Sequence, residues 1–291
     1  MIVGLFPGQG IPARDVLAAL RDAEDEARTA RDVFGYDLAA RVEVAARRAG
    51  APLPTKVAQP AIFVASVVAW RRSLDSGERF DMLAGHSLGE YAALVAGSAL
   101  RFEDGLFVVA RRAEAMERAR RATPGGMTAI LGLDLEITAD LARRAGCVVA
   151  NDNAPGQVVL SGPEPALAEA SARARERGGR AVLLDVSGPF HSGAMSAVRE
   201  DLRDALERVD LRSPSIPVVS NVSARPYRSP GEIRRLLIDQ VVDRVRFRES
   251  LEWMWREGVR SFRDLGPGAV VAGLAARTFR HLDRQGSAAR V

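Results

Sequence analysis

The sequence predicts an α/β fold with a parallel sheet and an inserted unit of βαββαβ order. Residues 1–118, and the chain again towards its C-terminus, alternate short apolar strands with helical segments, as α/β proteins do. Residues 125–187 differ, because their strand and helix patterns follow one another as βαββαβ, the ferredoxin-like arrangement. We therefore expect a main α/β domain of residues 1–121 and 188–291, with an inserted ferredoxin-like domain of residues 122–187.

The main domain is predicted from segments whose hydrophobic residues repeat with the period of a strand or a helix. In chain order these are a strand at 1–6, a charged helical region from about Arg14 to Ala49, a helix from Gln59 to Leu74, a strand at 80–84, a helix from about Glu103, a strand at 217–221, a helix at 230–242 and a strand at 259–265. The Gly-Pro-Gly sequence at 266–268 then precedes a final helix.

The insert has clearer boundaries, because turn-forming residues separate its elements. Its predicted elements are a strand at 126–133, a helix at 135–145, strands at 147–150 and 157–160, a helix at 163–177 and a strand at 180–186. Asn-Ala-Pro-Gly at 153–156 is expected to form the turn between the two middle strands. Pro163 lies near the start of the second helix, and Gly178 and Gly179 follow its end, as is common for helices.

Composition excludes several classes of protein. With 47% hydrophobic and 27% charged residues, the chain is expected to be a soluble globular protein. Its net charge is only +4 and no basic run is interleaved with aromatic residues, so no nucleic-acid partner is expected. The longest apolar stretches, near 60–70 and 91–100, are too short to span a bilayer. A single cysteine, Cys147, excludes an internal disulfide and fits a reducing compartment, which predicts a cytoplasmic protein.

The most informative segment is Gly-His-Ser-Leu-Gly at 85–89, which lies between a predicted strand and a predicted helix. A serine on such a sharp strand-to-helix turn needs small neighbours, and the turn lifts its hydroxyl clear of the sheet. The same turn places the serine beside a helix N-terminus, where backbone N–H groups can hold an oxyanion. Ser87 is therefore the predicted nucleophile, and the alternative is a plain structural turn.

A serine nucleophile needs a proton acceptor, which is most often a histidine, and this chain has three histidines. His86 is adjacent to Ser87, and neighbouring side chains on a tight turn diverge, so a packing or hydrogen-bonding role is expected for it. His281 lies in a charged helix end, where a surface role is the default. His191 follows the last strand of the insert, where the chain re-enters the main domain, and domain junctions favour clefts. His191 is therefore the predicted base, with His281 second.

The group that orients the base is left open by the sequence. An ordinary α/β-hydrolase has its residues in the order serine, acid, histidine, which His281 would fit and His191 would not. No Asp or Glu stands out as a partner for His191. A Ser–His dyad, oriented by a backbone carbonyl or an amide side chain, is therefore as plausible as a triad.

Several short motifs occur together in a specific order. They are Phe-Pro-Gly-Gln-Gly at 6–10, Gly-His-Ser-Leu-Gly-Glu-Tyr at 85–91, Arg112, Asn-Ala-Pro-Gly-Gln-Val-Val at 153–159, Phe-His-Ser at 190–192 and Asp-Leu-Gly-Pro-Gly at 264–268. In this order and spacing the chain resembles, over almost its whole length, the malonyl-CoA:acyl-carrier-protein transacylases and the related polyketide-synthase acyltransferases. The resemblance implies a hydrolase-like α/β domain with a ferredoxin-like insert.

The resemblance also implies roles for individual residues. Ser87 would take the acyl group as an ester, with His191 as general base and later general acid. The backbone N–H groups of Leu88 and Gln9 would hold the oxyanion. Gln240 matches a glutamine that lies near the histidine in this family, and Asn153 would contact the substrate.

The acyl group is predicted from Arg112 and Phe190. The resemblance implies that Arg112 pairs with the free carboxylate of a malonyl group, which suits the planar, bidentate guanidinium. Helix geometry places Arg112 at the border of the apolar stripe of its helix and Arg111 on the opposite side. Leu88 and Phe190 match the malonyl-type pattern, and a bulky Phe190 would crowd a branched α-carbon.

We therefore expect an acyltransferase that uses malonyl-CoA as substrate and an acyl carrier protein as partner. Three scattered histidines and one cysteine make a poor metal-binding set, so no metal and no tightly bound cofactor is expected. The alternatives are a discrete polyketide-synthase acyltransferase that loads another acyl unit, a serine hydrolase of thioesters, and a silent carrier-protein-binding module.

Overall fold

The computed structural model describes residues 1–21, 23–47, 53–186 and 188–288. Its elements in chain order are β1 (Ile2–Phe6), α1 (Ala13–Leu20), α2 (Glu24–Phe34), α3 (Leu38–Ala46), α4 (Thr55–Asp75), β2 (Met82–Gly85), α5 (Gly89–Ala96), α6 (Phe102–Ala122), β3 (Gly126–Leu131), α7 (Leu135–Ala145), β4 (Val148–Ala154), β5 (Gln157–Gly162), α8 (Glu164–Glu176), β6 (Arg180–Leu183), a 3₁₀ helix (Gly193–Met195), α9 (Val198–Glu207), β7 (Val218–Val219), α10 (Pro230–Gln240), α11 (Phe247–Arg256), β8 (Ser261–Asp264) and α12 (Val270–Ala288).

The main sheet is parallel, and its strands lie in the order β7-β2-β1-β8. Its side chains alternate between two apolar clusters, because Phe6 and Leu83 pack into one and Leu5 and Ala84 into the other. Burial on both faces explains why β1, β2 and β7 are apolar at nearly every position, whereas β8, at the edge of the sheet, is polar and partly exposed. Parallel strands end at one edge, so the loops that follow β1, β2 and β8 meet there.

A second, antiparallel sheet lies within residues 126–183, with its strands in the order β4-β5-β3-β6. One face packs against α7 and α8 through residues such as Ile130 and Leu160. The other face presents Met127, Ala129 and Val159 to the main hydrophobic core. The two-residue period of strands thus gives this sheet one face for its own helices and one for the larger part of the molecule.

The antiparallel sheet is connected to the segment before α11 by backbone hydrogen bonds as well as by packing. The Val245 N–H donates to the Ala150 carbonyl at 2.8 Å, and the Asp152 N–H donates to the Val245 carbonyl at 2.9 Å. The Arg248 Nε atom lies 3.0 Å from an oxygen of Asp152, whose side chain is buried. These contacts attach β4 to the start of α11 and hold the antiparallel sheet over the carboxyl edge of the main sheet.

The predicted fold class is confirmed, because a parallel sheet and a βαββαβ unit are both present. The charged helical region forms α1 to α3, and its predicted end at Ala49 lies outside the described residues. The division into domains at 121/122 and 187/188 stays a prediction, and Ser187 also lies outside the described residues. No helix of the described residues is long and apolar enough to cross a membrane.

Other expectations about elements were wrong. The turn predicted at 153–156 begins later, because β4 continues to Ala154; two register shifts along β4 disrupt its alternation and conceal the strand in the sequence. The strand predicted at 217–221 is only Val218–Val219. Helices α9 and α11 were not predicted. Neither has a capping side chain at its N-terminus, so both lack the sequence signal that marks a helix start.

Candidate active site

Ser87 occupies a sharp turn between β2 and α5. Its φ angle is +51°, in the left-handed region that non-glycine residues rarely adopt. A Cβ atom on Gly85 would lie 2.0 Å from the carbonyl carbon of Gly89, and one on Gly89 would lie 2.1 Å from the carbonyl oxygen of Phe6. Both glycines of the motif are therefore required by the close approach of backbone to backbone around the serine.

Two amide side chains hold the strained serine peptide. The Ser87 N–H donates to Oδ1 of Asn221 at 2.6 Å, and Nε2 of Gln240 donates to the Ser87 carbonyl at 3.0 Å. Asn221 also donates from Nδ2 to the Gly85 carbonyl at 2.6 Å. These bonds satisfy backbone groups that the turn withdraws from the sheet and the helix.

The Ser87 hydroxyl meets His191 across 104 positions of the chain. Its Oγ lies 2.8 Å from Nε2 of His191, and Nδ1 of His191 lies 2.8 Å from the main-chain carbonyl of Gln240. A carbonyl only accepts hydrogen bonds, so Nδ1 carries the proton and Nε2 presents its lone pair to the serine. No carboxylate among the described residues hydrogen-bonds to Nδ1. Of the alternatives left open by the sequence, the geometry is that of a Ser–His dyad oriented by a backbone carbonyl.

His191 is held in its neutral form. Burial and, to a lesser extent, the charge of Arg112 lower the pKa of His191 to about 3, and the hydrogen bond to the Gln240 carbonyl acts in the opposite direction. His191 is 4% exposed, and its backbone φ angle of +54° lies in the left-handed region. A neutral imidazole with a free Nε2 lone pair is the form that can remove a proton from the serine.

Arg112 is buried beside Ser87. One terminal nitrogen lies 3.1 Å from Ser87 Oγ and 3.2 Å from Gln240 Oε1, and the other lies 2.7 Å from Gln59 Oε1. Its side chain is fully buried, and burial lowers its pKa. No described carboxylate lies within ion-pair distance of it, and its Nε has no hydrogen-bond partner there. A buried cation without a carboxylate partner is suited to receive an anionic group, because it carries an uncompensated charge.

Arg111, by contrast, is about half exposed and lies 3.5 Å from Glu114 on the same helix. The structure therefore places Arg112 at the site and Arg111 on the outer surface, as the helix geometry indicates.

The backbone N–H groups of Leu88 and Gln9 donate to no acceptor among the described residues. Leu88 immediately precedes α5, at the N-terminus of that helix, and its side chain is buried. The loop that carries Gln9 packs tightly against the turn, since a Cβ on Gly8 would lie 2.8 Å from the His86 carbonyl oxygen. The Gln9 side chain accepts a hydrogen bond from Gln59 at 3.1 Å. Two unused N–H donors thus lie on the two backbone segments next to Ser87.

A cavity of about 310 Å³ opens in front of Ser87, between the carboxyl edge of the main sheet and the inner face of the antiparallel sheet. Ser87, His191, Gln9, Asn153 and Phe190 all line it. Apolar side chains of Met116, Met127, Ala129 and Val159 complete its walls. The cavity therefore brings the predicted nucleophile and base to one apolar chamber.

The other two histidines do not contact the serine hydroxyl. His86 Nε2 lies 2.7 Å from Oδ1 of Asn153, and its ring packs edge-on against Phe247. Burial lowers the pKa of His86. His281 is exposed on α12 and hydrogen-bonds to Gln285. Asn153 thus lines the cavity while its side-chain oxygen is occupied by His86.

Four buried residues of the site were missed by sequence reasoning, namely Gln59, Glu90, Asn221 and Tyr227. Gln59 had a signal, because it is a polar residue in the mostly apolar stretch of α4 at 57–70. Glu90 also had one, as a carboxylate at the start of the apolar helix α5. Nothing near Asn221 or Tyr227 distinguishes them from ordinary loop residues.

Among the residues that the structure describes, no group of three or more His, Cys, Asp or Glu side chains could hold a metal ion.

The amino-acid sequence is similar to those of known proteins. The family model for the acyl transferase domain matches residues 14–291. The malonyl CoA-acyl carrier protein transacylase of Bacillus subtilis strain 168 is 42% identical over 231 residues, which are 77% of this chain and 73% of that protein.

Solved structures of malonyltransferases are also similar to this chain, over nearly its whole length. The acyl-carrier-protein S-malonyltransferase of Burkholderia pseudomallei 1710b superposes with a TM-score of 0.87 at 36% identity, covering 95% of this chain and 92% of that chain. A malonyl-transacylase in complex with its type II polyketide-synthase acyl-carrier protein superposes with a TM-score of 0.86 at 33% identity, covering 96% of this chain and 93% of that chain.

Proposed function

Since the chain belongs to the acyl transferase domain family, we propose that it moves a malonyl group from malonyl-CoA to the phosphopantetheine thiol of an acyl carrier protein through an ester on Ser87. The observation that carries this proposal is the position of the Ser87 hydroxyl, 2.8 Å from the His191 imidazole and 3.1 Å from the Arg112 guanidinium. The nucleophile and its base line one cavity, and the guanidinium that would receive the carboxylate lies buried directly behind the serine hydroxyl.

Acylation begins with proton transfer from Ser87 Oγ to Nε2 of His191 as the oxygen attacks the thioester carbonyl. The carbonyl oxygen takes the negative charge and accepts hydrogen bonds from the N–H groups of Leu88 and Gln9. The tetrahedral intermediate then collapses, the carbon–sulfur bond breaks, and the imidazolium returns its proton to the departing CoA sulfur. The products are free CoA and a malonyl ester on Ser87.

Transfer to the carrier protein repeats these steps in reverse with another thiol. His191 removes the proton from the phosphopantetheine thiol, and the sulfur attacks the ester carbonyl. When the carbon–oxygen bond breaks, the imidazolium protonates Ser87 Oγ. Because His191 is neutral at the start of each half-reaction, it acts first as base and then as acid in both.

Arg112 selects the acyl group in this proposal. The ester carbon and the free carboxylate of malonate are separated by one methylene group, so an ester on Ser87 brings the carboxylate close to the neighbouring guanidinium. The guanidinium offers two parallel N–H donors, which match a carboxylate better than any uncharged acyl end. Phe190, which lines the same cavity, would disfavour a substituent on the α-carbon.

The inner face of the antiparallel sheet contributes Met127, Ala129 and Val159 to the cavity wall. We also propose that residues 122–187 act as an inserted domain that closes over the acyl group. Apolar side chains over the ester exclude water from it, which favours transfer to a thiol over hydrolysis.

One measurement tests the proposed function. The protein is mixed with malonyl-CoA, and its intact mass is recorded before and after addition of a carrier protein that bears its phosphopantetheine arm. We expect a mass gain of one malonyl group that maps to Ser87 and disappears only when the carrier protein is added. Release of free malonate without a lasting adduct would indicate a hydrolase, and absence of any reaction would indicate a binding module.

A further inference from the structure

Glu90 lies beneath the nucleophile and joins the two amides that hold it. Its Oε1 accepts a hydrogen bond from the Asn221 N–H at 3.0 Å, and its Oε2 accepts one from Nε2 of Gln240. Asn221 and Gln240 are the residues whose side chains bond the N–H and the carbonyl of Ser87, and the Glu90 N–H also donates to that carbonyl at 3.1 Å. The Glu90 carboxylate therefore holds both residues whose side chains bond the strained backbone of Ser87.

Gln240 contacts more of the site than Asn221 does, because it bonds Ser87, His191 and Arg112. Its main-chain carbonyl orients His191 at 2.8 Å, and its side-chain oxygen accepts from Arg112 at 3.2 Å. Its Nε2 has two hydrogens, of which one goes to the Ser87 carbonyl and the other to Glu90. The orientation of the amide is thus set by two acceptors on one side and by a cationic donor on the other.

Glu90 has no contact with the cavity. Its side chain is fully buried, and the hydroxyl of Tyr227 donates to its Oε1 as well. Desolvation raises the pKa of Glu90 to about 7, while the hydrogen bonds from Tyr227, Gln240, Asn221 and Ser220 oppose that rise. A buried carboxylate is costly unless every lone pair is used, and here the donors come from three separate segments of the chain.

We propose that Glu90 is a positioning residue for acyl transfer, which holds the Gln240 amide and the Asn221 backbone so that Ser87, His191 and Arg112 keep their mutual geometry. The inference rests on the proposed function, since it concerns the rate of transfer through Ser87. It assigns Glu90 no contact with the substrate.

Glu90→Gln is the informative substitution because it preserves volume and removes one acceptor. The new amide has one oxygen and one NH₂ group, whereas the present partners require acceptors on both sides of the group. If its oxygen serves Asn221 and Tyr227, its NH₂ group meets the NH₂ group of Gln240. Gln240 must then move or flip, and a flip would turn its NH₂ group towards Arg112 and its oxygen towards the Ser87 carbonyl.

The test compares Glu90→Gln with the wild-type protein in steady-state malonyl transfer to a carrier protein and in labelling of Ser87 by a fluorophosphonate, both at a pH above the Glu90 pKa of about 7, where the wild-type side chain is ionised. We expect kcat and the labelling rate to fall by about tenfold or more, since small displacements of reacting groups cost this much. The KM for malonyl-CoA should change by less than about threefold, because Glu90 does not contact the substrate.

A matched control is Glu26→Gln, which changes another buried carboxylate, one that bonds Arg71 far from the site. It should leave kcat and the labelling rate within about twofold of wild type. Tyr227→Phe removes one donor from Glu90 and leaves Ser87, His191 and Arg112 without a lost contact, and we expect a smaller fall in kcat at unchanged KM. This variant tests the inference if Glu90→Gln does not fold.

Wild-type kcat in Glu90→Gln, or a rise in KM alone, would overturn the inference. So would a loss that merely follows the folded fraction of the sample, as measured by circular dichroism, with normal labelling of the folded protein. Failure of the wild-type protein to form the malonyl adduct would instead refute the proposed function, so the two failures are distinguishable.

Discussion

The main-chain carbonyl of Gln240 accepts a hydrogen bond from Nδ1 of His191 at 2.8 Å. This contact fixes the tautomer of the imidazole without adding a negative charge beside it. A carboxylate in the same place would raise the pKa of the histidine. Because the Gln240 carbonyl is neutral, burial and the charge of Arg112 dominate and the pKa is lowered. The base is therefore oriented by a group that cannot titrate.

His191→Ala should slow formation of the malonyl ester by at least about 100-fold, because the serine loses its proton acceptor. The rate is measured by rapid-quench mass spectrometry of the protein after mixing with malonyl-CoA. His281→Ala is the control, since His281 is exposed and bonds only to Gln285 among the described residues. A large loss in the control with normal rates in His191→Ala would refute the choice of base.

Arg112→Ala should weaken loading of malonyl far more than loading of acetyl, because only malonate carries the second carboxylate. We expect the ratio of the two kcat/KM values to change by about tenfold or more, the usual range for loss of a charge-assisted pair. Loading from malonyl-CoA and acetyl-CoA is compared in the same assay. Arg111→Ala, an exposed neighbour on the same helix, should leave the ratio unchanged. Equal losses for both acyl groups would remove Arg112 from acyl selection.

Glu90 should make stability depend on pH. Its pKa is about 7 in the folded protein against an ordinary value of 4.5, so folding favours its protonated form. This contribution to the free energy of unfolding is complete below pH 4.5 and is lost as the pH rises through 7. The loss is at most about 3 kcal/mol, since each pKa unit corresponds to about 1.4 kcal/mol.

Urea unfolding of wild type and Glu90→Gln between about pH 5 and about pH 8 checks this. The stability of the wild type relative to the variant should decline across that range. His191 contributes in the opposite sense, since its lowered pKa removes stability as the pH falls below 6.5, but that contribution is common to both proteins and cancels. A difference that does not vary with pH would contradict the titration of Glu90.

Gly85→Ala and Gly89→Ala should each destabilise the protein by more than about 3 kcal/mol, because the new methyl groups would overlap backbone atoms that cannot move away. The distances involved are 2.0 and 2.1 Å. Gly273→Ala is the control: it lies exposed in α12 with no atom within 4 Å of the added carbon, and should stabilise the helix by up to about 1 kcal/mol. Thermal unfolding measures all three, and similar melting temperatures would contradict the packing argument.

Features that depend on neighbouring residues could be predicted from the amino-acid sequence. The Gly-His-Ser-Leu-Gly turn, its preceding strand and its following helix are local, and close backbone contacts make both glycines obligatory. The alternation of Met127 and Ala129 with Ile130 likewise encodes a strand with two packed faces. With three histidines in the chain, elimination could also single out His191 as the base.

The surroundings of these groups, by contrast, depend on how distant segments pack together. The hydrogen bonds of the site join segments 49 to 153 positions apart in the chain. They place the Gln240 carbonyl against His191, the side chains of Asn221 and Gln240 against the Ser87 backbone, and the Glu90 carboxylate against Asn221 and Gln240. Such hydrogen bonds depend on how strands and helices pack, and a backbone carbonyl is present at every position of any sequence. Residue type therefore carries no signal for them, whereas the local turn at Ser87 is encoded in its own five residues.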